Sequence, residues 1–368
     1  MLLVSIAKRH GGVDVRVLQT AREFARRGVA FRVAVMAGSS LHEALKAENL
    51  PAEPIARGRG DPRIALDLIR IARDMDANVI DGHNMQSQYW AVVASLGRRF
   101  PGRVATVHSI YREEHPRPGK RELREGALWL SHWLGFRFIA VSTRVERYLT
   151  GTIGVAPERI TLSWNGMEPL GPLPPRYDLG AETGWPKDTF VLGMIGRLEP
   201  VKGHRTLFDA MARLVAAGER RMRLVIVGTG RDGAALEQIV RERGLAEYVH
   251  FAGFRSDVTA VLEELDLMCL PSISEGLPFC VLEACRQGVP VLASELDGMS
   301  DLFTDDGTIF FTPSGDAARL AERLAKLIDD RDTLHRVGTA AKGFVETELG
   351  IGTMIDTTLA AYAGAMRR

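Results

Sequence analysis

Short runs of Val, Ile, Leu and Ala alternate along the chain with stretches whose apolar residues recur at helical spacing. In the first half, Leu2–Ala7, Phe31–Ala37, Val79–Asp81, Arg103–His108 and Phe138–Val141 read as strands. Val13–Arg27, Pro62–Asp74 and Gln86–Gly97 read as helices, the first of them stopped by Gly28. Strand runs this uniformly apolar belong to a sheet covered by helices on both faces. The alternation predicts an α/β protein built on a doubly wound parallel sheet.

The pattern breaks after Asn165-Gly166. Four prolines fall within Pro169–Pro175, the composition of a stiff extended linker and a natural domain boundary. Strand and helix then alternate again: Phe190–Ile195, Arg223–Val227, Tyr248–Phe251, Leu267–Leu270 and Pro290–Ala293 as strands, Arg205–Ala217, Ala234–Arg243 and Phe279–Gln287 as helices. Two or three further helices follow Asp316. The predicted organisation is a Rossmann-like domain over residues 1–168, a linker over 169–176 and a second Rossmann-like domain over 177–350. A last helix over 351–368 is expected to pack back on the first domain. Two doubly wound units of this kind place a ligand in the cleft between them, beyond the carboxyl ends of the strands.

Charge changes the picture only when it is divided at the linker. The 368 residues hold 47 Lys+Arg and 46 Asp+Glu, a net charge of +1 that argues against a protein coated for nucleic acid. Residues 1–170 hold 25 basic and 17 acidic side chains, a balance of +8, which leaves −7 for the remainder. Only three cysteines occur (Cys269, Cys280 and Cys285), none in a CxxC pair, as expected of a reducing compartment. The N-terminal MLLVSIAKRHGG is too brief for a signal peptide, and no run reaches the roughly 18 apolar residues of a membrane span. The reading is a cytoplasmic protein, soluble or lying on the inner face of the membrane.

The segment richest in chemistry is Pro271-Ser-Ile-Ser-Glu275-Gly-Leu-Pro-Phe-Cys-Val-Leu-Glu283, between an apolar strand and a helix that Gly288 ends. Pro278 suits the first helical turn, and the amides near Leu277–Cys280 offer a site for an anion or sugar hydroxyls. Glu275 and Glu283, eight apart, can hold separate hydroxyl-bearing parts of one ligand; the alternative is a loop charge and a solvated helix residue. In Gly196-Arg197-Leu-Glu-Pro-Val-Lys202-Gly203, two cations in a strand-to-helix loop suit a diphosphate, Arg as a fork and Lys as a point charge.

Together these residues resemble the retaining glycosyltransferases of the two-Rossmann GT-B fold, the family 4 (group 1) type. Gly11-Gly12 after the first strand, His108 after Arg103–Val107 and Asn165-Gly166 before the linker share in the resemblance, which runs over most of the chain. It implies transfer of a sugar from a nucleotide-diphosphate-sugar to a saccharide or lipid-linked acceptor in cell-envelope or polysaccharide synthesis. It also implies that Glu283 holds the ribose, that Glu275 and the Gly276, Leu277, Pro278 and Phe279 segment grip the sugar, and that Arg197 and Lys202 neutralise the diphosphate. The resemblance further implies that Gly12 lets the first loop approach the donor, that Gly253-Phe254 contributes backbone near the base, and that His108 contacts the transferred sugar; for His108 the alternative is a satisfied polar cap at the strand end. Same-face substitution, with the departing phosphate taking the acceptor proton, accounts for retention without a nucleophile. The competing class is a non-catalytic nucleotide-sugar-binding or regulatory protein of the same fold; the retained Arg197, Lys202, Glu275 and Glu283 favour the enzyme.

Weaker signals remain. Gly228-Thr-Gly230-Arg-Asp-Gly233 matches a dinucleotide fingerprint, but the strand that follows ends in Ala252-Gly253 without the acidic residue a ribose needs. Asp74-Met-Asp76 resembles a metal-binding pair but precedes a strand rather than following one, so no required metal or cofactor is predicted. A phosphorylase using pyridoxal phosphate shares the architecture but is much longer and needs a lysine site not found here. His83, Tyr111 and Arg112 are placed on the acceptor side. Arg112, Arg117, Lys120, Arg121 and Arg124 lie beside an amphipathic stretch, Leu123–Phe138, with Trp129 and Trp133. Either those tryptophans pack on the core, or a basic aromatic face meets an anionic membrane surface or acceptor.

Overall fold

The computed structural model describes residues 1–7, 11–114, 120–171 and 177–367, with no side-chain description for 114 and 120–124. The chain divides into two compact units, Met1–Glu168 together with Leu349–Arg368, and Pro169–Glu348. Of the proline-rich segment, residues 172–176 lie outside the described residues, as does Arg117 of the basic run.

The first unit runs β1 (Leu2–Ser5), α1 (Gly12–Arg26), β2 (Arg32–Met36), α2 (Ser40–Ala47), β3 (Ala52–Ile55), α3 (Arg63–Asp74), β4 (Val79–Gly82), α4 (Met85–Gly97) and β5 (Gly102–Val107). It continues with α5 (Tyr111–Glu114), α6 (Lys120–Trp133), β6 (Arg137–Ala140), α7 (Thr143–Tyr148) and β7 (Ile160–Leu162). All seven strands are parallel in the order β3-β2-β1-β4-β5-β6-β7. The direction of winding reverses between β1 and β4, where Leu3 pairs with Asp81 and Val4 with Gly82. Ligands of such sheets bind at that reversal, beyond the carboxyl ends.

The second unit runs α8 (Leu179–Thr183), β8 (Phe190–Ile195), α9 (His204–Ala216), β9 (Met222–Val227), α10 (Gly233–Glu242), β10 (Val249–Gly253), α11 (Val258–Leu262), β11 (Leu267–Leu270) and α12 (Phe279–Gln287). Next come β12 (Val291–Ser294), β13 (Phe310–Thr312), α13 (Ala317–Ile328) and α14 (Arg331–Glu348). Its six parallel strands are ordered β10-β9-β8-β11-β12-β13, with the reversal between β8 and β11. The chain then returns to the first unit: Met167 N donates to Leu349 O (2.7 Å) and Ile351 N to Met167 O (2.9 Å). Helix α15 (Ile351–Met366) buries Met354, Ile355, Ala361 and Tyr362 in one cluster with Leu3, Val79, Val104 and Ile139.

Burial explains why these segments form these elements. In α3, Ile64, Leu68, Ile71 and Ala72 are buried at spacings of three and four while Arg63, Arg70 and Arg73 face water. Asn84 caps α4 by accepting from Ser87 N (2.9 Å), so the helix begins immediately after β4 and fixes the intervening His83. The edge strand β3 contains Pro54, which the alternation did not reveal as a strand; an edge position tolerates the missing donor. The short strands β7 and β13 and helices α2, α7 and α11 were likewise unpredicted.

The reading of Trp129 and Trp133 as core residues is overturned. Helix α6 turns Ala127, Leu128 and Ser131 inward, while Trp129 is 48% and Trp133 80% exposed, with Leu130 between them also exposed. No described helix is long and apolar enough to cross a membrane.

Candidate active site

In the second unit, the loops after β8 and β11 meet at the sheet's reversal point. Lys202 ends a short 3-10 turn (Pro200–Lys202), and its Nζ lies 2.6 Å from Glu275 Oε1. Ser272 Oγ donates to the same oxygen at 2.8 Å. Both members of the ion pair are largely buried, with 12% of each side chain exposed. Burial alone would lower the lysine's pKa, yet the neighbouring carboxylate outweighs it and the group is raised from its ordinary value. Gly203, at φ +78°, lets the two loops approach: a Cβ there would stand 1.9 Å from the carbonyl oxygen of Pro271.

Arg197 is exposed and makes no side-chain hydrogen bond or ion pair among the described residues. The backbone of the next residue is held from the other side, since Leu198 N donates to Thr229 O (3.1 Å) and Asp232 N to Leu198 O (3.2 Å). The Gly228–Gly233 turn thus supports the cationic loop. Gly228 N donates to Gly253 O (2.7 Å), which sets the end of β10 beside that turn; Phe254, next in sequence, is 61% exposed.

Helix α12 starts at Phe279 after Pro278, with no side-chain cap, so its first amides are available to an outside acceptor. Glu283 lies a turn and a half along it, half-buried, its carboxyl raised from the ordinary range by burial against the opposing Arg286 charge. Neighbouring groups are kept uncharged by burial: Cys280 is pushed up to about 12, and His204, also beside the Lys202 charge, down to about 4.

In the first unit, Gly11 precedes α1 and Gly12 begins it, again without a side-chain cap. A Cβ on Gly11 would meet nothing within 4 Å, so neither packing nor backbone requires glycine there. His83 and His108 follow β4 and β5, neighbours in the sheet, with ring centroids 5.8 Å apart. His83 is 1% exposed, and its Nε2 lies 3.3 Å from Asp81 Oδ2. Burial, with the charges of His83 and Arg16, holds His108 well below the ordinary histidine range despite Asp81. Asp81 is fully buried yet ionised, its pKa about 2: burial raises it, but His83, Tyr362 and Thr106 prevail. Arg16, 1% exposed, donates to Ser163 O (3.0 Å), Ser163 Oγ (2.9 Å) and Asn165 Oδ1 (2.9 Å).

Two residues placed on the acceptor side carry structural bonds. Tyr111 is 5% exposed and donates to Gln88 Oε1 (2.9 Å), and Arg112 forms a two-point ion pair with Glu125 (2.7 and 3.0 Å). Asp74 and Asp76 are exposed, facing Arg70 (3.5 Å) and Arg98 (3.9 Å). Sequence reasoning missed Asp81, Arg16, Tyr362 and Ser272. A charge ending the apolar run Val79-Ile80-Asp81, and Arg16 on the face shared by Val17, Thr20 and Phe24, were visible signals; Tyr362 gave none.

Comparison with known proteins bears on the whole chain. The model for "Glycosyl transferases group 1" matches residues 178–344, and that for "Glycosyltransferase Family 4" matches 10–169. A D-inositol 3-phosphate glycosyltransferase of Nocardia farcinica is 27% identical over 90% of this chain and 80% of its own. A 2-deoxystreptamine glucosyltransferase of Streptomyces kanamyceticus is 26% identical over 80% of each. The crystal structure of Anabaena Alr3699/HepE in complex with UDP-glucose shares the fold with a TM-score of 0.85, at 22% identity over 99% of both chains. Two parallel-sheet Rossmann-like units, each matched by its own family model, place the chain among the group 1, family 4 glycosyltransferases of GT-B fold.

Proposed function

We propose that the protein is a retaining hexosyltransferase that moves a sugar from a nucleotide-diphosphate-sugar to a saccharide or lipid-linked acceptor in cell-envelope or polysaccharide synthesis. The observation that carries this reading is the Lys202–Glu275 pair at the reversal point of the second sheet, beside the free Arg197 and the uncapped α12. An ammonium has three donors, so Lys202 can hold Glu275 with one and a diphosphate with the others. Both contacts on Glu275 fall on Oε1, leaving Oε2 for a hydroxyl of the transferred sugar. Glu283 takes the ribose, and Phe254 lies at the strand end where the base is received. That relatives' structures hold UDP and UDP-glucose supports a nucleotide sugar as donor.

Breaking the glycosyl–phosphate bond builds negative charge on the leaving oxygens. Arg197, Lys202 and the α12 amides are fixed donors aimed at that charge, a role that asks for no metal. Retention follows if the leaving phosphate accepts the acceptor's proton on the face it vacates. His108, neutral, contacts the transferred sugar through a hydrogen bond rather than a charge. The exposed Trp129, Leu130 and Trp133 seat the first unit on an anionic membrane surface, which suits a lipid-linked acceptor.

A thermal-shift screen with UDP, GDP and ADP sugars, followed by a product assay that reads anomeric configuration, tests the proposal. One nucleotide should raise Tm above the others, and the product should keep the donor's configuration. If no sugar nucleotide shifts Tm, or Lys202→Ala leaves the shift unchanged, the reading fails. Binding without turnover would favour the regulatory alternative.

A further inference from the structure

We propose that Asp81 and Tyr362 are positioning residues that aim a pair of imidazoles, His83 and His108, at a substrate hydroxyl. The inference rests on the reading of His108 as a substrate contact and extends it to three residues that the family comparison does not assign. Its first support is an unmet bonding capacity. His83 Nδ1 and His108 Nε2 are buried nitrogens with no hydrogen-bond partner among the described residues, while His83 Nε2 has only the 3.3 Å contact with Asp81 Oδ2. Buried polar atoms are ordinarily satisfied, so these two nitrogens point to an outside partner. They sit on adjacent strand ends next to the reversal point, where this class of sheet receives its ligand.

The second support is how the rings are held. Asp81 accepts from Thr106 N (3.1 Å) and Thr106 Oγ1 (2.8 Å to Oδ2) on β5, and from the Tyr362 hydroxyl (2.7 Å to Oδ2) on α15. These bonds come from two elements and fix the carboxylate so that Oδ2 faces His83 Nε2 at ion-pair distance. Tyr362 is fully buried next to a carboxylate and stays protonated, so it serves Asp81 only as a donor. Gly82 brings the turn in close: a Cβ there would lie 2.8 Å from Gln88 Cα. The charged and titratable groups around the rings are Arg16 from α1, Asp81 from β4 and Tyr362 from α15. With Nε2 turned to Asp81, His83 presents Nδ1 beside the neutral His108, so that ring nitrogens of both side chains can meet one hydroxyl.

The test uses the full chain labelled with 15N histidine, in which ring-nitrogen shifts report tautomers directly. Wild type at pH 7 should show His83 in one fixed tautomer protonated at Nε2, and Tyr362→Phe should shift or broaden that signal while the fold persists. The same variant should lower kcat about 3- to 10-fold and leave donor KM within about twofold, as expected for lost positioning rather than lost binding. Asp81→Asn should abolish the preference for the Nε2 tautomer. Unchanged His83 signals in both variants, with native circular dichroism, would overturn the proposal. If the signals move but no sugar nucleotide is turned over, positioning stands and the transfer reading alone is lost.

Discussion

Lys202 and Glu275, 73 residues apart in sequence, hold each other at 2.6 Å where the second sheet reverses. Each is the other's compensation for burial, and each keeps capacity for a ligand. Removing either partner therefore does two things: it leaves a buried charge alone and subtracts one contact to the donor. Lys202→Ala and Glu275→Gln should each reduce kcat/KM by about 10²–10³-fold, measured by steady-state release of nucleoside diphosphate. An effect below about fivefold for both would remove the pair from the chemistry.

Gly203→Ala should damage the same site without touching a charge. The new methyl group meets a backbone carbonyl, and φ +78° adds strain of its own. A loss of about 2–4 kcal/mol in urea unfolding, with weakened nucleotide binding, is expected. Unaltered stability would mean that the two loops can separate freely.

Asp14 makes stability depend on pH. Burial raises its carboxyl from 3.8 to about 6 despite its bond with Ser5 (3.4 Å). Because the folded-state value is the higher one, its contribution is fully present below about pH 4 and is lost as pH rises through about 6. Asp14→Asn should remove that slope and stabilise the protein at pH 8 by up to about 3 kcal/mol. Urea melts between pH 4 and 8 decide it; parallel curves for the two proteins would refute it.

Arg16 and Asp81 are buried opposite charges in one polar cluster. Arg16→Met deletes donors to Ser163 and Asn165 and leaves Asp81 without its nearby guanidinium. A cost of about 3–5 kcal/mol is expected, the usual price of an uncompensated buried charge. Calorimetry showing less than about 1 kcal/mol would mean that His83, Tyr362 and Thr106 hold Asp81 without it.

Trp129→Glu with Trp133→Glu should leave Tm within a few degrees, since both side chains already face water. Sedimentation with anionic phosphatidylglycerol vesicles at low salt should fall about tenfold. Equal sedimentation of wild type and variant would remove α6 as the membrane contact.

Much of this was legible in the sequence, and the exceptions share a cause. Strands β8 and β11 and helix α12 were read to the residue, because long apolar runs are bounded there by Gly, Pro or charge. β3 was not, because Ala-Glu-Pro-Ile carries no strand signature and gains its place only by pairing with β2. The cationic loop and the Glu275 segment could be named from local composition, but their direct contact through Lys202 could not. The Asp81–Tyr362 bond spans 281 residues, so nothing local encodes it. The choice between a buried and an exposed Trp129 could not be read from the sequence, because helical spacing gives the period of a face and not which face turns inward.

The return of α15 has a consequence for how the molecule comes into being. The first unit lacks Met354, Ile355 and Tyr362 until synthesis has passed the whole of the second, because the second unit is inserted between its parts. A nascent chain halted anywhere before Tyr362 carries a buried Asp81 without its hydroxyl donor and a sheet face without its cover. The first unit is thus the earlier to be started and the later to be finished, and a chain cut before Met354 loses part of that unit's core.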